Sequence, residues 1–152
     1  MLSLSDPAIQ RSIVDRLGRL RYDDPAQWGH MSAHQMICHL ADSFRATMGE
    51  KAVSNATGWP QRTIVKWFAL YVPLRWPKGI PTRPEVEQGR GGTPPADFVC
   101  DRDDLVRLTQ RFCDPARPAE TDLHPMFGRM SRGQWLRWAY LHMDHHLRQF
   151  GA

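Results

Sequence analysis

Cysteine is scarce in this chain of 152 residues: Cys38, Cys100 and Cys113 make 3 in all, and no two form a Cys-x-x-Cys pair. Neither a disulfide framework nor a cysteine zinc site is suggested. Long apolar runs are missing too, since no stretch reaches the roughly 18 residues of a membrane span, and Met1 to Pro7 lacks a basic segment followed by an apolar one. The expectation is a reduced, cytoplasmic protein with no membrane contact. An excess of one charge is absent as well: 20 basic residues stand against 16 acidic ones, the net charge is +4 and the pI is near 9.3. With no run of four bases, an ordinary mixed-charge surface is expected, and nucleic acid is not expected as a partner despite Arg90-Gly91-Gly92. The Asn55-Ala56-Thr57 sequon says nothing in a cytoplasmic protein. Period-two alternation, the signal of half-buried strands, is nearly absent.

Helical periodicity is what remains, and it fits one domain spanning residues 1–152. Asp6 before Pro7 caps a first helix carrying Ile9, Ile13, Leu17 and Leu20 and ending near Arg21. Ser32 and Gln35 form a capping-box pattern opening a second helix to about Met48, with Ala33, Met36, Leu40, Phe44 and Thr47 on its core stripe. A third segment starts at Trp59-Pro60, shares Ile64, Phe68, Tyr71 and Val72 on one face, and stops at Pro73. From Pro73 to Pro95 the chain is rich in proline and glycine without a period, a long loop that is a candidate active-site rim. Asp101 with Asp104 predicts the start of a fourth helix bearing Leu105, Leu108 and Phe112. After a second loop through Arg117-Pro118 and His124-Pro125, Ser131 and Gln134 open a last helix that runs to Phe150 and stops at Gly151. The fold class is all-α, and four or five helices in a bundle is the economical architecture.

The last helix holds the chemistry. At about 100° per residue, Leu136, Tyr140, Met143, Leu147 and Phe150 make the core stripe, while Arg137, Asp144 and Arg148 face another side. His142 and His146 fall between, one turn and about 6 Å apart, a spacing that lets two imidazoles reach one ion. His145 lies about 100° from His146, toward the polar side, so it is a residue behind the ligands or an exposed one. One helix cannot surround a metal, and on the second helix His39 sits beside the apolar stripe, with Asp42 one turn on. Three histidines with open positions make a catalytic type of metal site; zinc, nickel, iron and manganese all accept imidazole, zinc or nickel being favoured. Asp42 is a candidate base or imidazole-orienting acid, His124 a candidate proton shuttle and His145 a further candidate catalytic residue, and Gln149 is placed to hydrogen-bond a ligand or the helix end. His30, His34 and Cys38 read as surface, loop or packing residues.

Gln35-Met36-Ile37-Cys38-His39-Leu40-Ala41-Asp42 and the closing His142-Met143-Asp144-His145-His146-Leu147-Arg148-Gln149-Phe150 resemble the DinB/YfiT-like superfamily. More narrowly, Trp28 to Met36, His124 to Gly128 and the final His-His-Leu-Arg-Gln-Phe-Gly are similar to a branch described only as a domain of unknown function. The resemblance implies an up-down four-helix bundle with a long crossover, often dimeric, holding a divalent metal through three histidines, which by position are His39, His142 and His146. It also implies a small-molecule reaction, since some relatives are transferases or isomerases using low-molecular-weight thiols such as bacillithiol, mycothiol or glutathione. Three functions follow: a metal-dependent thiol transferase or hydrolase, a non-catalytic metal-stabilised bundle that binds a small molecule or a protein, and, least favoured, a nucleic-acid binder.

Overall fold

The computed structural model describes the chain except residues 55–57, 59, 73, 81 and 117–122. The sequon Asn55-Ala56-Thr57, the start at Trp59, the stop at Pro73 and the Arg117-Pro118 part of the second loop therefore lie outside the described residues. Helix α1 spans Pro7–Arg19, α2 Ala33–Thr47, α3 Lys66–Tyr71, α4 Phe98–Cys113 and α5 Arg132–Gln149. A π-helical turn, Gln61–Val65, leads into α3, a 3-10 turn covers Pro84–Val86, and β1 (Leu123–His124) pairs antiparallel with β2 (Gly128–Arg129).

Local chemistry sets most of these boundaries. Asp6 accepts from Ala8 N with Pro7 at the first helical position, and the boxes at Ser32/Gln35 and Ser131/Gln134 are both closed, each side chain serving the other's backbone. Reciprocal caps satisfy donors that the first helical turn leaves open, each being worth about 1 kcal/mol. Gly151, at φ +75°, ends α5 in the left-handed conformation that glycine adopts at no steric cost. Helix α4 starts a turn earlier than Asp101 suggests, because Asp97 caps Cys100 N. That leaves the Asp101 carboxylate to accept from Ala96 N and to meet His34.

Helix α2 is the buried axis. Apart from Gln35, Arg45 and Ala46, all of its residues are buried, so its apolar stripe accounts for only part of its interior contact. It packs chiefly against α4, while α1 touches both α4 and α5, and α2 faces α5 across their histidine side chains. Ile13, Leu17, Met36, Leu40, Leu105, Met143 and Leu147 are at or within 1% of full burial, so the expected stripes of α1, α2, α4 and α5 form one core.

The third segment differs from expectation. Its helix forms, but Ile64, Phe68 and Tyr71 are 57%, 55% and 40% exposed, and Leu70 on the other side is the residue that enters the core. The packing partner chosen by α3 is α5, where Arg137 donates to Leu70 O and Gln134 Nε2 donates to the Tyr71 hydroxyl. Polar anchoring from α5 thus overrides the apolar stripe.

Candidate metal centre

His39 rises from the middle of α2, and His142 and His146 descend from adjacent turns of α5. One ring nitrogen of each lies within 4.8 Å of the others. The ring centroids are 4.9 Å apart for His39–His146 and for His142–His146 and 5.3 Å apart for His39–His142, all at steep interplanar angles. His39 Nε2 and His142 Nε2 are 3.3 Å apart. Two imidazole nitrogens about 2.0–2.1 Å from one tetrahedral ion stand about 3.3–3.4 Å from each other, so this pair already has the edge length of such a site.

The tautomers are set from outside. His39 Nδ1 donates to Val86 O at 2.9 Å, which leaves Nε2 bare and turned toward the other histidines. His146 Nδ1 lies 3.0 Å from Gln149 Oε1, and Gln149 Nε2 donates to Trp28 O at 2.6 Å. Because the amide nitrogen is spent on a carbonyl, the oxygen must face His146, so Nδ1 carries the proton and Nε2 is the free lone pair. Gly29 makes this approach possible: at φ +81°, a Cβ there would stand 2.6 Å from Gln149 Nε2.

Burial keeps the three rings neutral. His39 is lowered by desolvation, against smaller opposing effects of the Val86 hydrogen bond and Asp42. Desolvation also holds His146 down at about 3, reinforced by His39, and pushes His142 well below its usual value with the neighbouring histidines adding to it. Neutral imidazoles whose ring nitrogens converge, two of them with their N–H groups turned outward, form a donor set for a divalent cation. The residues fit such an ion.

Described residues of the long loop pack around this centre. Trp76 donates through Nε1 to Ala69 O, and its ring lies 6.2 Å from both His142 and His145. Val86 supplies the carbonyl for His39, and the Gly91–Thr93 stretch is tied down at Asp42. Asp42 is fully buried, and its oxygens take Lys51 Nζ at 2.9 Å, Thr93 N at 2.6 Å and Thr93 Oγ1 at 2.7 Å. Its described hydrogen bonds secure the loop that carries Val86, and none goes to a histidine ring.

The other candidates are placed as follows. His145 is buried at 8% exposure, contrary to its polar-side azimuth, because the Trp28 and Trp76 rings close over it at 5.8 and 6.2 Å. Its Nδ1 is buried without a hydrogen-bond partner among the described residues, and its ring is 5.2 Å from His146. His124 accepts from Met126 N and Phe127 N at 3.1 and 3.2 Å, and burial, with Lys66 nearby, holds it at about 3. It touches Trp138, which in turn touches His142, each at 5.1 Å, so it stands one ring away from the three histidines.

His34 is likewise buried where a surface position was expected: Tyr22 and Phe98 pack edge-on to it and Asp101 meets its Nε2 at 2.7 Å. Cys38 Sγ donates to the same Asp101 oxygen at 3.7 Å, and burial followed by Asp101 pushes its thiol up to about 12. His30 is exposed. Sequence reasoning missed Val86, whose carbonyl any residue supplies, and the placement of Trp76.

Residues 7–152 match the family model described as protein of unknown function (DUF1569). No curated protein and no solved structure matches the chain.

Proposed function

The chain belongs to the DUF1569 family, and from its histidine centre we propose that it is a divalent-metal-dependent enzyme acting on a small molecule, either a thiol-dependent transferase or a hydrolase. One observation carries the reading. Three neutral imidazoles bring ring nitrogens within 4.8 Å of one another, with the N–H groups of two of them held by Val86 O and Gln149 Oε1. A purely structural histidine cluster has no need for outward tautomer control on two separate elements.

His39, His142 and His146 would hold the ion, zinc or nickel before iron or manganese, and three protein ligands leave a position for substrate. Such an ion supplies Lewis acidity toward a water, a thiol or a carbonyl group. His145, buried beside His146 with Nδ1 unpartnered among the described residues, is the side chain placed to take or give a proton. Trp76 and Trp138 pack on His142 and limit access of water on that side. The helices are read as a DinB-like up-down bundle with a long crossover, and pairing into a homodimer belongs to the same reading.

Elemental analysis of tag-free protein, with a panel of thiol-conjugation and hydrolysis substrates, tests the proposal. About one divalent ion per chain and turnover lost on chelation are expected. A metal-free protein, or metal retained in full by His39→Ala, His142→Ala and His146→Ala alike, would overturn it. Metal whose removal lowers stability and abolishes no reaction would point to the non-catalytic binding bundle.

A further inference from the structure

The apolar surface left in water is concentrated on one segment. Ile64, Trp67, Phe68 and Tyr71 recur at the i, i+3, i+4, i+7 spacing of an amphipathic stripe, yet each is between 40% and 57% exposed, and Leu74 beyond them is 69% exposed. Trp67 and Phe68 are in edge contact at 5.4 Å. Isolated exposed apolar residues are ordinary, but a stripe of aromatic side chains, each offering on the order of 150–250 Å² when fully covered, marks a surface that something covers.

Charge selects the occupant. From Gln61 to Pro84 the chain has no aspartate or glutamate, whereas Arg62, Lys66, Arg75, Lys78 and Arg83 all fall there. The near balance of the whole chain hides this asymmetry, because the acids gather elsewhere, as at Asp101, Asp103 and Asp104 of α4. The elements packed against the segment sharpen it. Strand β2 brings Arg129 and α5 brings Arg137, and the single acid of α5, Asp144, is already bound by Arg16 and Arg148 at 2.9 and 2.8 Å. A second copy docked through this face would set bases against bases. An anionic surface would meet both the charge and the aromatic stripe, the combination found in helices that lie in a bilayer interface.

We propose that the exposed side of residues 64–72 and 74–78 docks the protein on an anionic phospholipid surface, with Trp67, Phe68 and Leu74 entering the interface and Arg75 and Lys78, the latter 4.5 Å from the Trp28 ring, meeting the headgroup phosphates. The expectation of no membrane contact rested on the lack of a spanning helix, and no helix among the described residues is long and apolar enough to cross a bilayer. That criterion does not bear on a helix lying in the interface.

The test is co-sedimentation of the full chain with vesicles of phosphatidylcholine alone and of phosphatidylcholine mixed with phosphatidylglycerol, at low and high salt. Binding to the mixed vesicles should be at least about tenfold tighter and should weaken with salt. The double variant Trp67→Ser/Phe68→Ser and the charge variant Arg75→Glu/Lys78→Glu should each lose about tenfold, with helical content and melting unchanged. If the first variant does not fold, the second carries the test. Absence of binding to the mixed vesicles overturns the proposal, as does equal binding by the charge variant. A parent dimer in sedimentation equilibrium that Trp67→Ser/Phe68→Ser dissociates, without vesicle binding, would assign the face to self-association instead.

Discussion

Helix α2 carries two histidine clusters on different sides, and their contrast separates a metal centre from a packing device. His39 joins His142 and His146, while His34 joins Cys38 and Asp101, and both sets bring three potential donor atoms within 4.8 Å of one another. In the second set a carboxylate is present, and its Oδ2 receives His34, Cys38 and Ala96 N, so the donors already have a partner. The first set has no carboxylate. Two of its N–H groups are spent outward and its lone pairs have only each other, which is unfavourable unless a proton or a cation lies between. Proximity of donors is therefore a weaker criterion than whether their hydrogen-bonding capacity is already spent.

The sharpest way to break this contrast is by metal content. His39→Ala, His142→Ala and His146→Ala should each fall from about one ion per chain to background, while His34→Ala and Cys38→Ser keep the full complement. Two ions per parent chain, or loss of metal in the second pair, would put the clusters on the same footing.

A pH titration of the metal-free protein comes next in size. His124 and His146 are held at about 3 when folded but titrate near 6.5 in the unfolded chain. Their contribution is fully present above about pH 6.5 and is lost as the pH falls toward 3, because the unfolded chain takes up protons that the folded one refuses. Denaturant melts should lose stability progressively as the pH falls across that window. A flat profile there would mean that the rings are not desolvated.

Gln149→Leu removes the acceptor that orients His146 while leaving the three rings in place, and should weaken metal binding by about 10–100-fold in a competition assay with a chelator. Gly29→Ala, which crowds the same amide, should move affinity in the same direction. Unchanged affinity in both would mean that Gln149 does not set the His146 tautomer for metal binding. The smallest effect belongs to the other cluster: Asp101→Asn should cost about 1 kcal/mol or slightly more in urea unfolding, since the site is partly solvated, and should leave metal content untouched.

How far the sequence could be read varies along the chain. The two capping boxes, Asp6-Pro7 and Gly151 state their conformations locally, so the limits of α1, α2 and α5 could be read to within a residue or two. His142 and His146 could be paired because one helix fixes their spacing, and Gln149 was visible one turn beyond. The start of α4 is ambiguous in the sequence because Asp97 and Asp101 are both competent caps; in the fold Asp97 caps Cys100 N while Asp101 meets His34 and Ala96 N. The outward turn of Ile64 and Phe68 was hidden because periodicity shows that a helix has an apolar face without saying whether anything covers it.

By itself the sequence determined the helices and the identity of the donors, since backbone spacing and side-chain chemistry are local properties. Tertiary structure alone decided that Val86 O and Trp28 O would control two imidazoles, that Trp28 and Trp76 would bury His145, and that Asp42 would anchor the loop. Those contacts join residues far apart in the chain, some through backbone carbonyls that every residue carries alike. No pattern of residue types encodes which carbonyl will arrive; only the folded path of the loop does.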